Sequence, residues 1–158
     1  MKVLFICTGN TCRSPMAELL LNHQAASRKD TSMTATSAGL YTFSNLPATA
    51  EAVTAMKEIG LDLSHHRSRC VSAELVEEAD IILTMTYNQK RYFLALFPHK
   101  QTIVRTLCEY AGHPDMEIAD PYGQGLAVYR SVCKQLRELL QFIPPTRSEE
   151  RRVGKECR

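Results

Sequence analysis

Four short apolar runs, separated by stretches with helical spacing, restrict the fold of this chain more than any other feature. Residues 2–6, Lys-Val-Leu-Phe-Ile, are a β-branched and aromatic run suited to a buried parallel strand. Met33 to Ser37, Asp80 to Met85 and Gln101 to Thr106 read as the second, third and fourth strands. The first helix is expected from Ser14, as N-cap before Pro15, to about Arg28, with a stripe of Met16, Leu19, Leu20 and His23. Further helices are expected from Pro47 to Ile59 and from Ser72 to Glu78. The capping-box pattern of Thr86 and Gln89 opens another, which reaches about Phe97. Cys108 to Asp120 reads as irregular. The last helix, about Gly125 to Ile143, has the cleanest stripe: Tyr129, Val132, Cys133, Leu136, Leu139, Leu140 and Ile143. Pro144-Pro145 then stops it. Strands alternating with helices imply βαβ units, hence an α/β three-layer sandwich with a four-stranded parallel sheet and helices on both faces. Ligands of such sheets bind beyond the carboxyl ends of the strands, where strand order reverses. The first strand ends at Cys7.

A chain of 158 residues suits one domain with a single core. Its last segment, Arg147 to Arg158, looks like a translated sequencing adapter, so a domain of residues 1–146 with a non-native tail of 147–158 is expected. That segment carries the whole net charge of +2; without it 14 basic residues stand against 14 acidic ones. Nothing in the charge balance therefore points to nucleic acid as a partner. No apolar run has the length of a membrane span, and the apolar start is interrupted after four residues by Cys7 and Thr8, unlike a secretory leader. Six cysteines without such a leader suggest reduced thiols in the cytoplasm. Their spacing forms no zinc pattern, and no metal or other cofactor is expected.

Cys7-Thr8-Gly9-Asn10-Thr11-Cys12-Arg13-Ser14 places a cysteine and an arginine five residues apart, between a strand and a helix. Backbone N–H groups of a tight loop feeding a helix converge into an anion nest. Gly9 is expected to allow a turn that a side chain would obstruct, and Asn10 to hold a left-handed conformation. Arg13 supplies a planar fork for two phosphate oxygens. A thiol on the floor of such a nest favours the thiolate, the nucleophilic form. Ser14 can donate a hydrogen bond to that sulfur and improve it as a leaving group.

The stretch from Val3 to Glu18 resembles the low-molecular-weight protein phosphatase family. The likeness continues through Ser37-Ala38-Gly39, His66-Arg67-Ser68-Arg69, Ala79-Asp80 and Asp120-Pro121-Tyr122, to about Ile143. The resemblance implies a metal-independent, two-step hydrolysis. Cys7 attacks phosphorus to give a phosphocysteine, while Arg13 and the amides of Thr8, Gly9, Asn10, Thr11, Cys12 and Ser14 bind the phosphoryl oxygens. Asp120 protonates the leaving group and then activates water, releasing inorganic phosphate.

With threonine at position 11, the loop looks like that of the bacterial protein arginine phosphatases; tyrosine-specific members usually carry a bulkier aliphatic residue there. The resemblance implies phosphoarginine in proteins as substrate, with Thr11 leaving room for the guanidinium. Tyr122 is then a single aromatic wall, and Asp120 a carboxylate partner for guanidinium donors. A tyrosine phosphatase is the alternative. Arsenate reductases share the Cys-Thr-Gly-Asn loop but need two further cysteines close together, whereas Cys70, Cys108 and Cys133 are far apart and read as core thiols. A non-catalytic anion-binding module would have no need of Cys7, Arg13 and Asp120 together. Cys12 can pair reversibly with Cys7 as a redox guard or simply pack beneath the loop. His65 and His66 read as a solvated pair, Arg67 and Arg69 as surface charges, and the chain as a monomer without membrane contact.

Overall fold

Alternate side chains of β1 (Lys2–Cys7) feed two different cores, so both faces of this strand are covered. The structure, a computed structural model, describes residues 1–141 and residue 143. The expected tail of 147–158 and the Pro144-Pro145 helix stop lie outside the described residues. Val3 and Phe5 of β1 face the larger core, which is completed by α1 (Arg13–Ser27), α2 (Ala50–Lys57) and α6 (Leu126–Leu140). Leu4 and Ile6 face a smaller one with Val76 of α3 (Ala73–Glu78) and Phe93 of α4 (Tyr87–Leu96). Two-sided burial is why this strand is apolar at consecutive positions rather than at every second one.

The sheet has four parallel strands in the order β2-β1-β3-β4, where β2 is Thr34–Gly39, β3 is Ile81–Thr84 and β4 is Val104–Thr106. The chain leaves β1 toward one edge through α1 and later returns to pair β3 on its other side. Strand order therefore reverses beside the carboxyl end of β1, and Cys7 sits at that switch point. The expected three-layer α/β sandwich is the observed architecture. No helix among the described residues is long and apolar enough to cross a membrane.

The boundaries depart from the sequence reading at several places, each for a local reason. Helix α1 starts at Arg13 with Cys12 at its N-cap, so Ser14 is not the cap; its hydroxyl is engaged elsewhere. His23 is exposed, and the buried face of α1 is instead Met16, Ala17, Leu20, Leu21 and Ala25. Helix α2 begins only at Ala50, because Thr49 Oγ1 accepts the Ala52 N–H as cap, while Pro47 bridges Arg67. The turn that follows a 3-10 stretch at Pro98–Lys100 takes up residues 101–103, the start of the expected fourth strand, and leaves three residues in β4. The segment expected to be irregular opens with the short helix α5 (Leu107–Tyr110), set by a Thr106–Glu109 capping box. In α6 the expected stripe from Tyr129 to Leu140 is buried throughout, as is Ile143 beyond it.

Candidate active site

The loop after β1 is turned so that its carbonyls point outward. The carbonyls of Cys7 and Thr8 accept the N–H groups of Leu40 and Tyr41, each at 3.0 Å. The Asn10 carbonyl accepts from His66 Nε2 at 2.7 Å, that of Thr11 from Thr49 N at 3.0 Å, and that of Cys12 from Met16 N at 3.1 Å. In a trans peptide the next N–H points opposite to the carbonyl, so these contacts aim successive amides into the loop. The Asn10 N–H lies 3.3 Å from Cys7 Sγ. The pocket so formed, about 190 Å³, is lined by Cys7, Thr8, Gly9, Thr11, Cys12, Arg13, Asp120 and Tyr122.

Asn10 is the keystone of this loop. It is fully buried at φ 54°, a left-handed conformation that asparagine tolerates better than most residues. Its Nδ2 donates to Ser14 Oγ and Ser37 Oγ, both at 2.9 Å, and its Oδ1 accepts from Arg69 N at 3.0 Å. Because Asn10 occupies the Ser14 oxygen as donor, the Ser14 hydroxyl hydrogen is free to point at Cys7 Sγ, 2.9 Å away. Gly9 does not play the part expected of it. Its φ is not positive, and an added Cβ would make only an ordinary 3.6 Å contact with Thr11 Oγ1. The glycine that the loop requires is Gly39 on β2. A Cβ there would meet Thr8 O and Thr42 Cγ2 at 2.9 Å and Asn10 Cβ at 3.1 Å.

Arg13 is only 4% exposed and is held by donation from Nη1 to the Ile118 carbonyl at 2.9 Å. Its Nη2 faces Asp120 Oδ2 across 3.8 Å, and the Asp120 side chain is 57% exposed. The Asp120 loop is stabilised mainly within itself: Tyr122 N donates to Asp120 Oδ1 at 3.1 Å, and Gln124 Nε2 to the Asp120 carbonyl at 2.6 Å. Tyr122 stands exposed at the rim. Thr11, at the pocket wall, is half-buried.

Cys12 packs beneath the loop, with Sγ 3.4 Å from the Tyr129 hydroxyl and 3.7 Å from Thr49 Oγ1. Burial and the Cys12 contact raise the Tyr129 phenol well above its ordinary range. The five described cysteines are free thiols. Cys108 and Cys133 are core thiols as expected, but Cys70 is exposed beside Gly39, a correction to its reading as core. Burial, helped by Glu117, pushes the Cys108 thiol up to about 11, and burial also raises Cys133. Among the described residues no cluster of three or more His, Cys, Asp or Glu could hold a metal ion.

Two further residues take part that sequence reasoning set aside. His66 is not solvated: because a carbonyl only accepts, its Nε2 carries the hydrogen that fixes the Asn10 carbonyl. Arg69 is more than a surface charge, since its N–H holds Asn10 and its Nε donates to the Ser37 carbonyl at 3.0 Å. Only their place in the quoted His66-Arg67-Ser68-Arg69 string hinted at this; the pairing spans nearly sixty residues of chain and has no local signature.

A thiol in an amide cradle at a sheet switch point, with a buried arginine and a facing carboxylate, defines a cysteine-dependent phosphatase. The chain belongs to the low molecular weight phosphotyrosine protein phosphatase family, whose model matches residues 2–152. It is 36% identical over 152 residues, 96% of this chain and 100% of the relative, to the protein-arginine-phosphatase of Bacillus subtilis (strain 168). Among solved structures it is similar to a YwlE arginine phosphatase, a cysteine-to-serine mutant with a phosphorylated active-site serine (TM-score 0.86, 37% identity, covering 90% of this chain and 92% of that one). A low molecular weight protein tyrosine phosphatase from T. tengcongensis matches equally well (TM-score 0.86, 37% identity, 90% and 96% covered).

Proposed function

We propose that this chain removes phosphoryl groups from arginine side chains of proteins through a phosphocysteine on Cys7. The observation that carries the reading is the convergence of Ser14 Oγ and Asn10 N–H on Cys7 Sγ, in a pocket whose far side holds Arg13 and Asp120. The Cys7 thiolate attacks phosphorus, an S–P bond forms, and the P–N bond to the substrate guanidinium breaks. The departing nitrogen takes the proton of the Asp120 carboxyl. In the second step the Asp120 carboxylate takes a proton from water, the oxygen attacks phosphorus, and the S–P bond breaks. Inorganic phosphate leaves, and the Ser14 hydroxyl stabilises the released thiolate. Arg13 and the inward amides of residues 8 to 14 carry the charge on the equatorial oxygens in both steps.

Support for arginine comes from Thr11 at the wall, from Tyr122 as the aromatic of this pocket, and from the exposed Asp120 carboxylate, which suits guanidinium donors. The arginine phosphatase of Bacillus subtilis is among its relatives. Tyrosine phosphatase activity is the second reading, favoured by the equally similar T. tengcongensis structure. We take the enzyme to act in the cytoplasm as a monomer without metal or cofactor. Paired turnover assays on phosphoarginine and phosphotyrosine peptides test the substrate. The wild type should prefer phosphoarginine, and Thr11→Ile should shift the ratio of kcat/KM toward phosphotyrosine by about tenfold or more. Equal or better phosphotyrosine hydrolysis by the wild type contradicts the arginine assignment.

A further inference from the structure

Beside the catalytic pocket lies a second, larger depression of about 440 Å³, lined by Thr8, Leu40, Tyr41, Asn88, Gln89 and Tyr92. Thr8 belongs to both, so the two share a wall and the depression is continuous with the surface that receives the phosphorylated side chain. The aromatic rings at its edges are exposed, Tyr41 at 80% and Tyr92 at 50%. No acidic or basic side chain lines it. The amide of Gln89, buried in its wall, is also committed. Gln89 Oε1 accepts from Met85 N at 2.9 Å and Thr86 N at 3.1 Å, and its Nε2 donates to Thr8 Oγ1 at 3.1 Å. Asn88 Oδ1 accepts from Arg91. An uncharged, aromatic-edged depression whose buried amide is already paired offers little to a charged group and much to an apolar one.

We propose that this depression is a subsite for the substrate polypeptide: it receives an aromatic or aliphatic side chain flanking the phosphorylated residue. Gln89 holds the dividing wall, because it ties Thr8 to the capping box of α4, whose next turn presents Tyr92. The subsite thereby has a fixed position relative to Cys7. The proposal rests on the protein-phosphatase reading above, and not on the choice between arginine and tyrosine.

The test uses peptides in both phosphoarginine and phosphotyrosine series, with Phe, Leu, Asp or Lys placed one or two positions before or after the phosphorylated residue. The free phosphorylated amino acids serve as substrates without flanks. Within whichever series the wild type hydrolyses, the best-placed Phe or Leu peptide should exceed its Asp and Lys counterparts in kcat/KM by about tenfold, mostly through KM. Tyr92→Ala should reduce that preference to about twofold or less, and Tyr92→Phe should retain it. Hydrolysis of the free phosphorylated amino acids without any flank preference in the peptides overturns the subsite and leaves the phosphatase reading intact. A preference that survives Tyr92→Ala unchanged also overturns it. Absence of turnover in both series, free amino acids included, contradicts the phosphatase reading and the subsite with it.

Discussion

The two loops that meet over the catalytic pocket are held in opposite ways. The loop from Cys7 to Ser14 is clamped from outside: β2 and the segment around His66 and Arg69 fix its carbonyls and its buried Asn10. The loop from Asp120 to Gly125 is exposed apart from the buried Pro121 and closes mostly on itself, through Asp120, Tyr122 and Gln124. The difference follows from what each loop must do. A cradle of amides stabilises phosphoryl charge only if its dipoles are set before the reaction. A carboxylate that first gives and then takes a proton must reach both the leaving group and water, which a partly exposed side chain can do. Substitutions in the first loop should therefore damage fold and chemistry together, and those in the second chemistry alone.

Asp120→Asn should give the largest separation of the two. We expect kcat on phosphorylated peptides to fall by about a hundredfold to ten thousandfold, with stability changed by no more than roughly 0.5 kcal/mol, as for exposed positions in general. Thermal unfolding beside steady-state kinetics would show it, and a marked loss of stability would mean that this loop is also structural. Asn10→Ala should behave in the opposite way. It removes the partner of Ser14, Ser37 and Arg69 and puts alanine at a left-handed φ, which should cost about 2–4 kcal/mol in denaturant unfolding. Gly39→Ala should cost somewhat less, about 1–3 kcal/mol, because the added methyl displaces the Thr8 carbonyl and Asn10. Unchanged stability in either variant would contradict the clamped cradle.

The smallest effect concerns a thiol away from both loops. Burial raises the Cys108 thiol from 9.0 to about 11 in the folded protein. Its neutral form is thus favoured by folding; the stabilisation is complete below the unfolded value and is lost as pH rises toward and through about 11. Wild type should lose stability more steeply than Cys108→Ala between pH 9 and 11 and in parallel with it near neutrality. Parallel profiles throughout would show that this site does not resist ionisation.

These contrasts also explain what could be read from the sequence. The α/β sandwich was legible because β1 is apolar on both faces and the α6 stripe is unbroken. The catalytic loop was legible because Cys7, Asn10, Arg13 and Ser14 lie in one short stretch of chain as well as together in space. Its outer clamp was not, since Gly39, His66 and Arg69 act through backbone contacts made across the fold. Gly9 was misread for the same reason: a glycine within the loop suggested a strained turn, yet the close approach that only glycine permits comes from the neighbouring strand. The groove beside Thr8 carries no motif, because Leu40, Tyr41, Gln89 and Tyr92 come from two distant segments.

The most direct test of the mechanism is to capture the covalent intermediate. Asp120→Ala, which is slow to activate water, can be mixed with p-nitrophenyl phosphate, whose leaving group needs little protonation, and quenched by denaturation for peptide mass spectrometry. The account predicts one phosphoryl group on the peptide that contains Cys7, and none when Cys7→Ala is added to the same variant or when substrate is omitted. A phosphoryl group on another residue, or full turnover by the Cys7→Ser single variant, would contradict it.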